Sequence, residues 1–307
     1  MTTSPLRPAR PAGAGSTGPS STGHSPTAHS STGPSSTGRS STGPRRPVGE
    51  LLREWRERRR LSQLELSIQA DISTRHLSFV ETGRSRPSSE MIVRLTEQLD
   101  VPLRERNQVL LAGGYAPAYP ETSLTAPEMT TVREMVRRVL AGHEPYPALV
   151  ADRHWNLMEA NTGIALFTEG CAAGLLEPPV NVLRLSLHPD GMAPRIVNLA
   201  EWRAHILGRL HRQATTTADP KLFEMHEELS GYPGGEATTG PGGEPVPNPI
   251  MVPLRYRYGE RELSFFSTTA VFGTPLDVTL AELAIESFFP ADPETAEFLG
   301  DRRVTGR

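Results

Sequence analysis

The sequence predicts an all-α head of five short helices followed by an α+β domain, behind a disordered N-terminal tail. Three observations predict it. Between Val48 and Leu111, apolar residues recur at helical spacing in short runs punctuated by Ser, Gly and Pro. Beyond Pro147 the apolar period shifts toward alternation, with helical runs between the alternating stretches. Residues 1–44 hold almost only Ser, Thr, Gly, Pro and a few Arg, and cannot bury a core. A length of 307 residues fits about two domains.

In order, the tail carries an STG repeat at Ser16, Ser21, Ser31, Ser36 and Ser41. It reads as a dispensable extension or as a basic arm adding weak phosphate contacts. A first helix begins at Val48, with Leu51, Leu52 and Trp55 inward. Arg53, Arg56 and the run Arg58–Arg60 are expected largely outward, partly paired with Glu54 and Glu57. Ser62 and Glu65 form a capping box for a second helix, whose buried face is Leu66 and Ala70. Asp71 sits in the turn, where it tolerates a left-handed conformation. Ser73 caps a third helix that buries Leu77 and Val80, and Gly83 and Pro87 end it. Two short helices joined by such a turn are a helix-turn-helix, whose second helix can enter the major groove. Ser88 opens a fourth helix with Met91, Ile92, Leu95 and Leu99 inward, and Leu103 to Leu111 gives a fifth.

Gly113-Gly114 and a Pro-rich stretch mark a boundary. The divisions expected are a tail over 1–46, a DNA-binding head over 47–114, a linker over 115–127, a second domain over 128–300 and a short tail over 301–307. In the second domain, Met129 to Leu140 is amphipathic, with Met135 and Val139 among the inward residues. Ala148–Asp152 and Trp155–Ala160 read as strands, and Asn161 starts a helix through Phe167. Asn181–Leu187, Leu199–Gln213 and Pro220–Leu229 read as helices, and Gly231–Pro249 as a loop. Ile250–Tyr258 and Glu262–Phe272 form a hairpin about Gly259-Glu260. Thr279–Phe289 is read as a last strand that would also suit a helix.

The run LSQ…L…A…IS…L…E.G…P resembles the Cro and lambda-repressor type of helix-turn-helix, also called the xenobiotic-response-element family. The longer run ISTRHLSFVETGRSRPSSEMIVRLTEQLDVPLRERNQVLLAGGYAP is similar to actinobacterial regulators whose head is joined to an MmyB-like ligand-binding domain. DRHWNLMEAN, NVLRLSLHPDGMAP and FGTPLDVTLAELAIESFFPAD carry the C-terminal part of the resemblance. It implies a repressor-type head, a PAS-like fold around a small-molecule pocket, and a lipophilic, fatty-acid-like ligand. One position departs from the pattern, since Asp71 stands where the wider family often has Gly.

Charge fits this division. Net charge is −3, but the first 111 residues sum to +6 and the rest to −9. A basic head on an acidic body suits DNA binding at one end. On the third helix, Arg75 is the first candidate for base readout because its guanidinium matches guanine O6 and N7, with a phosphate contact as the alternative. Thr74 and Ser78 can reach bases or phosphates, and Phe79 can pack on a thymine methyl or on another helix. Gln63 and its helix N-terminus can hold a phosphate. Ser73, Arg84 and Arg86 complete the expected DNA-facing set. Glu81 reads as structural, paired with an Arg of the head. Leu64 and Ile68, apolar at i, i+4, point to a dimer or interdomain contact, or to extra core.

In the second domain, the candidate ligand contacts are Trp155, Met158, Asn161, Phe167, Arg184, Phe265 and Phe272. Arg184 or Arg255 would meet a carboxylate, and Asn161 reads equally as a helix cap. The single Cys171 excludes an intrachain disulfide and reads as a buried inert thiol. His188 with Asp190 reads as a turn, and His205 and His211 fall on different helix faces. No catalytic, cofactor or metal motif is present, and no membrane span or secretory leader is expected. The expectation is therefore a cytoplasmic, nucleoid-associated, homodimeric transcription regulator that binds a double-stranded operator under control of a small lipophilic ligand. The alternative is a repressor or antitoxin-type protein whose C-terminal domain binds a protein partner.

Overall fold

The computed structural model describes residues 46–234 and 251–305. The expected disordered tail and most of the Gly/Pro-rich loop lie outside the described residues. Five helices form the head: α1 (Val48–Arg58), α2 (Gln63–Gln69), α3 (Thr74–Glu81), α4 (Ser89–Gln98) and α5 (Leu103–Ala112). Their ends follow from side-chain chemistry. The Ser62 hydroxyl accepts from the Glu65 backbone N–H and the Glu65 carboxylate accepts from the Ser62 N–H, completing the capping box. The Ser73 and Ser88 hydroxyls cap α3 and α4 by accepting the N–H groups of His76 and Met91. Asp71 takes φ 51° at the α2–α3 turn, the left-handed geometry the turn requires. Leu52, Leu66, Leu77, Val80, Ile92, Leu95 and Leu99 are fully buried and make one core.

Two arginines, one in α1 and one just past its end, depart from expectation. Arg56 is buried, because its fork closes on the Glu81 carboxylate through Nε at 2.7 Å and Nη2 at 2.9 Å. Arg59 donates to the carbonyls of Leu99 and Asp100, capping the C-terminal end of α4. Arg53 and Arg58 do pair with Glu57 and Glu54 on the exposed face.

The stretch after α5 is pinned at both ends. Tyr115 packs on the head core and its hydroxyl donates to the Pro87 carbonyl. Asn107 receives the N–H groups of Ala118 and Tyr119 and donates to the Tyr119 carbonyl. Further on, Val278 N–H donates to the Pro120 carbonyl and Thr122 N–H to the Asp277 carboxylate.

The second domain contains α6 (Thr130–Gly142), β1 (Ala148–Ala151), β2 (Leu157–Ala160), α7 (Ala165–Thr168), α8 (Val182–Leu187), α9 (Leu199–Thr217) and α10 (Pro220–Ser230). It closes with β3 (Leu254–Tyr258), β4 (Arg261–Val271), α11 (Val278–Ala281), β5 (Ala284–Pro290) and α12 (Pro293–Thr305). The strands form one sheet in the order β2-β1-β5-β4-β3, with every pair antiparallel. This is the α+β architecture the sequence predicts. The ambiguous stretch 279–289 divides into the end of α11 and most of β5, so both of its readings were partly right. The final helix α12 was not anticipated.

Interior strand β1, between β2 and β5, is buried along its whole length because both sheet faces are covered. One face carries the large core of Phe167, Leu185, Trp202, Ile206, Leu210, Leu254, Tyr256 and Phe265 under α7 to α10. The other face packs Val136 and Leu140 of α6 against Val150 and Leu283. Met135 and Val139, expected inward, are instead exposed on α6.

Asn161 holds the N-cap position of the short helical turn Thr162–Ile164, as one of its two readings expected, but its side chain makes no capping bond and serves the strands instead. Its Oδ1 accepts from Ala148 N–H, and its Nδ2 donates to the carbonyls of Leu140 and Tyr146, tying β2 to the entry of β1. Asn161→Ala strands these backbone groups and is expected to cost about 2 kcal/mol in urea denaturation. A loss below about 0.5 kcal/mol would mean that water replaces the clamp.

Candidate functional site

Helix α3 owes its outward face to its pattern. Leu77 and Val80 go inward, and the remaining turn positions have no core to join. Arg75 is exposed, and its guanidinium lies 5.3 Å from the Phe79 ring centre, with Arg84 on the same ring at 5.9 Å. Phe79 is therefore flanked by two guanidinium groups on the head surface. Ser78 is half-exposed beside it. The Ser73 hydroxyl accepts the His76 N–H and keeps its own proton for an outside acceptor.

Three of the expected DNA-facing residues have duties within the head. Thr74 is half-buried, with its hydroxyl 2.8 Å from that of Ser67. Gln63 gives an amide N–H to Glu81 at 2.8 Å, joining the Arg56 pair. Arg86 donates to the Gly113 carbonyl and lies over the Tyr115 ring at 5.5 Å, so it braces the end of α5. Glu81 is structural, as its charge suggested. Leu64 and Ile68 are exposed, which removes the extra-core reading of that pair.

In the second domain, an apolar cavity of about 50 Å³ lies in the large core. Phe167, Leu183, Leu185, Met192, Trp202 and Phe288 are among its walls. That volume holds no more than a few waters. Of the candidate ligand contacts, only Phe167 lines it. Phe265 is fully buried behind Phe167, their ring centres 5.5 Å apart. Phe272 packs with the α6 layer on the opposite sheet face. Met158 is exposed. Arg184 is closed bidentately on Glu228 at 2.7 Å and 2.7 Å, and Arg255 is paired with Glu262, so neither aims at the cavity.

Trp155 faces elsewhere. It adopts φ 65°, an unusual left-handed conformation for an aromatic residue, at a turn where Asp152 accepts the N–H groups of His154 and Asn156. Its indole N–H donates to Gln213 at 2.8 Å, and Arg209 lies 4.1 Å over the ring. This indole lines a cleft of about 440 Å³, whose walls include Pro102 and Glu105 of the head and Arg153, Asp219 and Glu282 of the second domain.

Those charged groups join the two halves of the chain. Arg104 on α5 closes bidentately on Glu282 at 2.8 Å and 2.8 Å. Arg153 bonds Glu282 at 3.0 Å, bonds Asp219, and lies 3.7 Å from Glu105. His154 adds a 2.8 Å contact to Asp219. Burial pushes the Asp219 carboxyl up, but the His154 hydrogen bond and the Arg153 charge outweigh it and hold it below the usual carboxylate range. Glu105 goes the other way, because burial pushes its carboxyl above that range and Arg153 only partly compensates. Sequence reasoning missed this cluster, since Arg104 and Glu282 are 178 positions apart.

Cys171 donates to the Phe167 carbonyl and receives an Arg195 N–H, and burial pushes its thiol pKa up. His188 accepts from Asp190 N–H within the turn expected there. Among the described residues, no group of three or more His, Cys, Asp or Glu could hold a metal ion, and no helix is long and apolar enough to cross a membrane.

Comparison with known families decides the assignment. Residues 132–300 match the MmyB-like transcription regulator ligand binding domain, over half of the chain, and residues 47–109 match a helix-turn-helix domain. The chain belongs to the MmyB-like transcription regulators. This MmyB-like regulator is thus a DNA-binding protein with a ligand-binding domain, from families that are not enzymes. No curated protein matches it. A solved RNA-binding Light-Oxygen-Voltage receptor aligns at 15% identity and a TM-score of 0.25, covering 84% of this chain and 62% of the receptor. The regulator thus spans less than two thirds of that receptor's length.

Proposed function

We propose that this regulator is a sequence-specific repressor-type DNA-binding homodimer controlled by a small lipophilic, fatty-acid-like ligand in its C-terminal domain. The observation that carries the reading is a helix that presents Arg75, Ser78 and Phe79 outward, on a head whose α5 is ion-paired to the ligand-binding domain through Arg104 and Glu282. Helix α3 enters the major groove and Arg75 reads a guanine. Arg84 and Ser73 meet phosphates, while Gln63, Thr74 and Arg86 hold the reading surface in place. A dimer is needed because one head reads only a few base pairs, and exposed Leu64 and Ile68 on α2 suit a contact with the second copy.

The walls of the core cavity are apolar, as an acyl chain requires, but its volume of about 50 Å³ is far below that of such a chain. An acyl chain would have to widen it, separating the core helices from the sheet. Ligand therefore acts by favouring one arrangement of the domain, which α5 passes to the head. Two experiments test this. Mass spectrometry of an organic extract from the purified full chain is expected to reveal a stoichiometric fatty acid. An empty extract together with no saturable binding of added fatty acids would remove the ligand class. Arg104→Ala is expected to keep operator binding but bring the change in affinity caused by that fatty acid close to one-fold. An unaltered response would place the coupling elsewhere.

A further inference from the structure

The small core cavity and the larger cleft lie end to end along the same two elements. On α9, Trp202 and Ile206 line the cavity, while Arg209 and Gln213 line the cleft. Steps of four, three and four residues put all four on one helix face. On β5, Phe288 and Glu286 line the cavity and Ala284 lines the cleft, alternate residues on one sheet face. The two compartments adjoin where these elements are joined by an ion pair. Arg209 donates to Glu286 through Nη1 at 2.9 Å and Nη2 at 3.3 Å. The Glu286 side chain is 6% exposed and borders a cavity that is otherwise mostly apolar. Arg209 reaches the cleft, stacked on Trp155. A buried ion pair adds little stability over apolar residues of the same volume, so stability alone does not account for one at this position.

We propose that Arg209 is the carboxylate anchor of the acyl ligand, and that Glu286 is a resident carboxylate which the ligand displaces. The proposal rests on the reading of this domain as a fatty-acid site and adds the entry route and the polar end of that site. The acyl chain enters from the cleft and lies between α9 and β5, past Ile206 and Phe288. Its carboxylate then replaces that of Glu286 on Arg209. One carboxylate is exchanged for another, so the guanidinium stays paired and no unfilled charge is required beforehand. The displaced Glu286, buried without a counter-charge, takes up a proton as the ligand binds. Arg209 and His205 of α9 are the charged or titratable groups around it, and its register partners on β1 and β4, Leu149 and Thr269, are uncharged. An alcohol of the same length fills the same space but gains nothing from the exchange.

Calorimetric titration of the full chain with n-decanoate and n-decanol tests the anchor. The wild type is expected to bind each probe saturably at one site. Glu286→Gln removes the competing charge while its amide oxygen still accepts from Arg209, so decanoate should bind at least tenfold more tightly. Adding Arg209→Gln to that variant leaves a neutral pair that can still hydrogen-bond and removes the anchor. Decanoate should then bind at least tenfold more weakly than to the wild type. Decanol affinity should change less than about threefold in both variants. Loosened packing would shift both probes together and in one direction. Decanoate affinity unchanged or lowered in Glu286→Gln, retained in the double variant, or paralleled by decanol would overturn the anchor and leave the ligand class standing. A wild type that binds neither probe saturably would overturn both.

Discussion

Replacing Arg75 with alanine is expected to lower affinity for a cognate operator about ten- to a hundredfold, while binding to random DNA changes little. The magnitude follows from a bidentate guanine contact, about 1–3 kcal/mol of discrimination. The asymmetry follows because phosphate contacts supply non-specific affinity and base contacts supply preference. Position supports the assignment: Arg75 lies in the first turn of α3, on its exposed face, beside Phe79. The check is a salt titration of anisotropy-measured affinity for operator and random duplexes. Parallel losses on both, with a shallower salt slope, would show that Arg75 touches phosphate instead.

The largest stability effect is expected at the ion pair that fixes α3 against α1. The Glu81 side chain is 1% exposed and that of Arg56 10%, and Gln63 donates to the same carboxylate. Glu81→Ala leaves a buried guanidinium without its counter-charge and should cost about 3–5 kcal/mol. Total stability for a domain is about 5–15 kcal/mol, so the head would unfold or lose cooperativity. A double change of Arg56→Met and Glu81→Leu removes both charges together and should recover most of the loss. Urea denaturation followed by far-ultraviolet circular dichroism reports both, since the head is built of helices alone and its unfolding removes their signal. A cost below about 1 kcal/mol for Glu81→Ala would put the pair in the class of screened surface bridges.

What could be read from the chain alone divides along physical lines. Caps, turns and apolar periods are local, so Ser62 with Glu65, Ser73, Ser88, Leu66, Leu77 and Val80 were legible. So was the Gly259-Glu260 hairpin, whose strands pair in register from Leu254 with Phe265 to Tyr258 with Arg261. Polar side chains were harder because their roles depend on what lies across the fold. Arg56 looked like a solvated base, yet a carboxylate 25 positions away draws it inside. Thr74 and Arg86 looked free to meet DNA until Ser67 and Gly113 claimed them. Asn161 was visible as a junction residue, but not as the clamp between β1 and β2.

The ligand cavity shows the same limit. Aromatic and apolar residues at strand spacing predict a core, and only packing decides which of them face an empty volume. Phe167 does, Phe265 stands one layer behind it, and Phe272 belongs to the other sheet face. The head-to-domain cleft had no sequence signature at all, because its charges come from α5, the β1–β2 turn, α9, the α9–α10 junction and the C-terminal end of α11.

Sequence-specific recognition by α3 in a dimer is tested most directly by selecting bound duplexes from a random DNA pool with the full chain and footprinting the enriched sequence. The expected result is a pseudo-palindrome whose half-sites lie about 10 bp apart, or a multiple of that, with protection of major-groove guanines that disappears in Arg75→Ala. Enrichment of no sequence, or of one unrepeated site indifferent to Arg75, would contradict it.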